Sequence, residues 1–365
     1  MKRTFSFGRS SPVALVVAGT GLIAATYGLV RFAYGLFLPD AQADLGFAAT
    51  TAGLISGGAS AVYCVGALAG FLLAARRPRV LLVASVVCAG GGAVGMAVAP
   101  QLPVFALFAV LSSAGAGLAS PALVDVVRRN AAARSGARAQ TVVNAGTGPG
   151  LAVAGVLALV LLPGWRTLCL VAAVITLVFG VLVLLLDRDP GAERPARQLL
   201  PPTAWFRAHR RSLVATLLMG GGSAAVWTYG RTLLVDAGAD DSVSVAAWIA
   251  LGIGGTAVIA TARWTGNLRP RTAWAVTVGT AAGASAVLAL APGSAPLALV
   301  ACLAFGWGYT AGSGALIAWT TELDESRAAT GTALLFIALV LGQALGAGAL
   351  GPLITLAGYP PAFLA

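Results

Sequence analysis

The stretch YGLVRFAYGLFLPDAQADLG, from Tyr27 to Gly46, closes the first long apolar run of the chain and carries an arginine, Arg31, inside that run. Arginine near the middle of a bilayer-spanning helix costs about 2.5–3.5 kcal/mol on insertion scales. Two questions follow: whether the run spans a membrane, and what the guanidinium then faces.

Around this stretch, 58% of the 365 residues are hydrophobic, 10% are charged and 47 are glycine. So few charges cannot cover a soluble chain of this length, and the sequence reads as an all-α, polytopic membrane protein. A hydrocarbon core of about 30 Å takes about 20 apolar residues per helix. With that ruler, eleven spans are predicted, at 13–38, 48–74, 79–99, 102–125, 140–162, 166–186, 212–235, 243–263, 272–291, 295–319 and 328–350. The start, MKRTFSFGRSSP, has the charge of a signal peptide. The run behind it is too long for an h-region of roughly 7–15 residues, so it is expected to stay as the first helix.

The net charge of +11 sits in short loops, which argues for topology signals and against nucleic-acid binding. With the N-terminus in the cytoplasm, twenty of the 23 basic residues fall in inner segments and one, Arg166, in an outer loop. Only Arg31 and Arg231 remain within the membrane. This bias predicts a multi-pass protein of a bacterial cytoplasmic membrane, N-terminus inside, with lipid and a small solute as its partners and a monomer as its unit. The weight of arginine over lysine and the alanine and glycine content agree with a GC-rich bacterial source.

The longest polar segment, 187–211, is rich in proline and arginine. It divides the chain into a six-span bundle at 1–186, a cytoplasmic linker at 187–211, and a five-span bundle with an outer tail at 212–365. His209, the lone histidine, is expected to be solvated there, with Trp205 and Phe206 resting on the membrane surface. The halves echo one another. Arg77-Pro78-Arg79 matches Arg269-Pro270-Arg271, and Ser120, Ala122-Leu123-Val124 and Arg134 match Ser313, Ala315-Leu316-Ile317 and Arg327. Tyr27-Gly28 precedes Arg31 as Tyr229-Gly230 precedes Arg231, and an aspartate follows each arginine nine residues on, Asp40 and Asp240. Such order suggests two parallel repeats, as in two-bundle secondary transporters.

With its two halves, its basic central segment and the string RFAYGLFLPDAQADLG, the chain resembles the major facilitator superfamily, and residues 28–46 resemble its YbfB/YjiJ-type bacterial branch. The resemblance implies a central cavity lined by helices one, four, seven and ten, flanked by two, five, eight and eleven, and alternating access by rocking of the halves. The chain departs from the family in four places. GFLLAARRPR lacks the acidic residue usual after helix two; Leu111 stands where helix four often has arginine before Gly115 and Gly117; the helix-five motif is reduced to Gly148-Pro149; and the sequence stops at Ala365, where a twelfth span, missing or truncated, is expected to begin.

The candidate site follows from the two intramembrane arginines. On a helix of 3.6 residues per turn, Thr20, Ala24, Tyr27, Arg31 and Tyr34 share one face, as do Gly220, Ala224, Trp227, Thr228 and Arg231. Symmetric packing would aim both arginines at one central space. There they could clamp a carboxylate or phosphate, since guanidinium offers a fixed fork of donors. They could instead latch onto Asp40, Asp44, Asp236 or Asp240 near the outer surface, or snorkel to the interface. Asn144 and Gln343 are further polar candidates at similar depths, with Ser112, Ser113, Ser120, Thr310 and Ser313 weaker ones. Trp227, Tyr229, Trp307 and Tyr309 could form an aromatic wall. The four cysteines lie inside apolar runs and read as buried free thiols.

All twelve acidic residues sit at span ends or in loops. Proton symport is therefore disfavoured unless Asp125 or an outer aspartate serves it. No catalytic or phosphate-binding motif occurs, and one histidine builds no histidine-based metal cluster, so neither enzyme activity nor a cofactor or metal is expected. The reading that remains is a secondary transporter of a small, plausibly anionic organic solute. Efflux of amphipathic drugs and a non-transporting membrane sensor or degenerate paralogue stand as the alternatives.

Overall fold

The protein, seen in a computed structural model, is described over residues 12–74, 76–130, 136–187 and 201–365, and is helical with no strand among them. Helix α1 runs through Pro12–Ile23, a π-helical stretch Ala24–Phe32, and Ala33–Leu45. Gly46 ends it with φ +67°, donating its N–H to the Gln42 carbonyl, a left-handed cap that glycine adopts without a Cβ clash. Next come α2 (Ala49–Leu73), α3 (Pro78–Val86, a π turn Val87–Gly91, then Gly92–Ala97), α4 (Leu102–Asn130), α5 (Gly136–Asn144 and Thr147–Leu161) and α6 (Trp165–Leu186). The second half holds α7 (Thr203–Asp236), α8 (Asp241–Gly266), α9 (Pro270–Leu290), α10 (Ala295–Leu323), α11 (Ala328–Ala357) and a short α12 (Tyr359–Leu364). Pro78 and Pro270, the matched prolines of the sequence echo, each open a helix, where a fixed φ and a missing N–H cost nothing.

Ten of these helices are long and apolar enough to cross a membrane. The seventh expected span, α7, falls short of that apolar standard, its sequence carrying Arg207, Arg210, Arg211 and Arg231 and a glycine run at 220–222. Every residue from Ser223 to Leu234 is buried. It also begins at Thr203, ahead of the expected 212, directly after Pro201-Pro202.

Two expectations for the central polar segment are corrected by this: Trp205 does not rest on the membrane surface but is buried, and so is the histidine beside it. His209 is not solvated: it is fully buried, its ring stacked on Trp205 at 3.7 Å between centroids. Its Nδ1 lies 3.0 Å from the Trp205 carbonyl and its Nε2 3.1 Å from Thr320 Oγ1 on α10. Helical spacing of four puts Trp205, His209 and Thr216 on the face of α7 that meets α10, which a linker reading could not anticipate. Asp187 is likewise buried. It accepts hydrogen bonds from Arg79 Nε at 2.8 Å, from Arg129, and from Asn130 Nδ2 at 2.8 Å. The arginine-rich loop after α2, which lacks its own aspartate, thus finds one at the end of α6, and α3, α4 and α6 are stapled together there.

Between the two halves, α2 packs along α11, α5 along α8, and the C-terminal part of α1 on α7. The last approach is close. A Cβ on Gly35 would lie 2.1 Å from the Trp227 carbonyl oxygen, so only glycine lets the two backbones meet.

Candidate functional site

Inside this packing lies a cavity of about 40 Å³, lined by α1, α2, α3, α4, α7 and α11. Taking roughly 10–15 Å³ per water, it holds about three waters, the space of a small head group. Arg31 reaches it from the π-helical stretch. A π turn takes one more residue than an α turn and recurs at functional sites. It also breaks the face expected from a uniform helix. Thr20 lies beside the Val142 carbonyl of α5 at 3.5 Å, and Ala24 backs onto Gly150 of α5. Arg31, in the last turn of the π-helical stretch, donates from Nη2 to Gln343 Oε1 on α11 at 2.8 Å.

The guanidinium is otherwise held by rings. Its Cζ stands 4.6 Å from the Tyr63 centroid and 4.7 Å from that of Phe32, within cation–π range. The Tyr27 and Tyr63 hydroxyls are 2.9 Å apart, and Gln343 Nε2 donates to the Tyr309 hydroxyl at 3.0 Å. Phe32 in turn stacks on Trp227 at 4.3 Å, and the edge of Tyr309 meets Trp227 at 5.2 Å. Among the described residues no carboxylate pairs with Arg31, and no acid or histidine lines the cavity.

Arg231 does not face this space. It is 1% exposed and sits nearer the end where α1 finishes. Its Nη1 donates to the Leu36 carbonyl at 2.8 Å and to the Asp40 carboxylate, its Nη2 to Asp241 Oδ1 at 2.7 Å, and its Nε to Ser244 Oγ at 3.1 Å. The symmetric placement of two arginines around one space is therefore replaced by an upper ion-pair cluster and a lower single cation. Asp40 belongs to the acids expected for a latch; Asp241, not Asp240, is the second. Other bonds close the same end: the Tyr229 hydroxyl donates to the Ala49 carbonyl at 2.9 Å, the Thr50 and Thr355 hydroxyls are 2.9 Å apart, and those of Ser56 and Thr228 are 2.8 Å apart.

Of the ten candidate residues, Arg31, Tyr34, Trp227 and Gln343 line the cavity, Tyr309 bonds to Gln343 and packs on Trp227, and Tyr27 stands one step further back, its hydroxyl on that of Tyr63. Tyr229 belongs to the closed end. Trp307 turns away on α10 and donates to Thr261 Oγ1 on α8 at 2.8 Å. Asn144 is exposed, accepts from Gln140 at 3.0 Å and does not line the cavity, so its matching of Gln343 fails: α5 breaks at residues 145–146, just past it. Sequence reasoning passed over Tyr63 and Phe32. Tyr63 offered a signal, as one of only six tyrosines and placed mid-span in α2.

The model of the Major Facilitator Superfamily matches residues 20–347, and the chain belongs to that superfamily. No curated protein matches the sequence. Among solved structures, it resembles a variant of the nucleoside transporter NupG at a TM-score of 0.79 and 12% identity, covering 96% of this chain and 95% of that one. It resembles a bacterial homologue of the human lysosomal transporter Spinster at 0.70 and 17%, covering 96% and 84%. A D-xylose–proton symporter follows at 0.71 and 14%, covering 98% and 96%. At these identities the likeness speaks for the fold, a multi-pass transporter architecture.

Proposed function

We propose that the protein is a secondary transporter that moves a small organic anion across a bacterial cytoplasmic membrane by alternating access, and that it belongs to the YbfB/YjiJ-type branch suggested by residues 28–46. The observation that carries the anion is Arg31: a permanently charged group in the cavity whose only hydrogen-bond acceptor among the described residues is a neutral amide. An anion entering there replaces a weak partner with a charged one. A cationic drug meets repulsion at the same point, which favours this reading over drug efflux.

In the proposed cycle, the half that ends with α6 rocks against the half that begins with α7 at Thr203. The Arg231–Asp40–Asp241 cluster and the Thr50–Thr355 contact open and close one end. With the N-terminus in the cytoplasm, this end is the outward-facing one in the proposed cycle. Rigid halves suit such rocking, and the Asp187 and His209 contacts stiffen one half each.

Counterflow in proteoliposomes, with carboxylates, phosphate esters and sugars as test solutes, examines the proposal. Saturable exchange of an anion is expected. The Arg31→Ala variant should lose about 10- to 100-fold of that exchange, the worth of a charge-assisted hydrogen bond, at normal expression and melting temperature. Saturable flux of sugars alone, unchanged in Arg31→Ala, defeats it.

A further inference from the structure

Two donors in the cavity wall have no partner. Ser113 Oγ on α4 and Trp227 Nε1 on α7 are buried without a hydrogen bond, in residues 1% and 7% exposed, and both residues line the same cavity as Arg31. An indole N–H can only donate, and a serine hydroxyl can donate while rotating to suit. A buried donor without an acceptor is costly, and two of them beside a cation mark the place of an acceptor that carries negative charge. The neighbouring Ser112 does not share this state, because its hydroxyl donates to the Ala109 carbonyl at 2.8 Å.

The number of charges is as informative as their sign. Arg231, the second intramembrane arginine, is taken by Asp40 and Asp241, so the described cavity offers one positive charge. The rest of its wall joins Val30, Ile55, Met96 and Ala109 to the hydroxyls of Ser56, Ser60 and Thr228, and none of these supplies a second positive charge. A dianion would leave one charge buried and unpaired. A neutral amide would leave Arg31 as it is now, with an uncharged partner.

We infer that the cavity is a monocarboxylate seat, in which Arg31, Ser113 and Trp227 converge on one carboxylate and Phe32, Tyr34 and the apolar wall take its uncharged body. The carboxylate displaces Gln343 from Arg31, so filling the seat also breaks a hydrogen bond between α1 and α11, one from each half. This inference rests on the transport reading only in taking the cavity as the solute's site.

Calorimetric titration of the purified full-length protein tests it, with acetate, malonate and acetamide as one series and butyrate, succinate and butyramide as another. In at least one series the monocarboxylate should bind at least about tenfold more tightly than its dianion or its amide, the discrimination expected of one charged partner. Ser113→Ala and Trp227→Phe should each weaken that binding about fivefold to tenfold; the serine change removes a donor and little volume and should leave the melting temperature unchanged, whereas the tryptophan change also trims a ring packed on Phe32 and Tyr309 and should lower it. Ser113→Cys serves in place of the alanine variant if that one does not fold. Tighter binding of the dianions, no monocarboxylate binding in either series, or unchanged affinity in both variants overturns the seat. Its failure is separable from that of the transport reading. Arg31-dependent counterflow of a dicarboxylate removes the seat and leaves the transporter, whereas binding as expected without counterflow leaves the seat and removes the transporter.

Discussion

Arg31 and Arg231 start from matched sequence surroundings and end in opposite electrostatic situations. Each follows a Tyr-Gly pair in its helix, and each precedes an aspartate by nine residues. In the folded chain Arg231 takes the aspartate that follows Arg31, Asp40, and adds Asp241; Asp240 instead stands at the N-cap of α8. One acid crossing between the halves thus leaves one arginine neutralised at the closed end and the other alone in the cavity. The pairing of a single carboxylate sets the two arginines apart, one fixed in an ion-pair cluster and the other held by a neutral amide, where we propose that a ligand enters.

The comparison breaks if Arg231 proves dispensable. Arg231→Leu leaves Asp40, 9% exposed at its side chain, without its cation, and should cost about 3–5 kcal/mol of stability, read as a lowered melting temperature in detergent. Arg31→Ala strands no carboxylate among the described residues and should leave that temperature nearly unchanged. Equal losses in the two variants would erase the distinction between latch and site. Gly35→Ala sharpens it next. The new methyl group would overlap the Trp227 carbonyl and wedge α1 from α7, at a cost of about 2–3 kcal/mol to the closed end. Disulfide formation between Thr50→Cys and Thr355→Cys should fall in that background and report the opening. A cost below that of Gly35→Ala is expected from Gln343→Leu, about 1.5 kcal/mol in stability, because it leaves the Arg31 guanidinium without its neutral acceptor, whereas Arg31→Ala removes the charge itself. The same change frees the guanidinium, so monocarboxylate affinity should rise; a fall would mean that Gln343 helps to hold the solute rather than competing with it.

Much of the architecture was legible in the chain itself. The spacing of apolar runs and the proline-led starts at Pro78 and Pro270 carry over directly into helices, because bilayer thickness and proline stereochemistry act locally. What stayed hidden depends on contacts between distant residues. His209 was read as solvated because its neighbours in sequence are polar, whereas its neighbours in space are Trp205 and Thr320. Asp40 stood among the acids offered as partners for the arginines, yet nothing in its own stretch says that its partner lies 191 positions away. Asn144 and Gln343 look alike by depth, but only the second sits on an unbroken helix facing the cavity. Tyr63 was lost among apolar residues of α2 although it touches both Tyr27 and Arg31.

The π-helical stretch in α1 has a consequence for how this chain can change over time. An α-helix advances about 100° per residue, so removing one residue from Ala24–Phe32 could restore ordinary winding while turning one end of α1 by that angle against the other. The hydropathy of the span would barely change, and it would still insert. Yet the segment that meets α5 and the segment that meets α7 and α11 would fall out of phase, and Arg31 would leave its place while remaining in the sequence. Length, not only identity, is thus under constraint here: any relative of this chain that keeps the arginine but loses a residue between Ala24 and Phe32 should have surrendered the site.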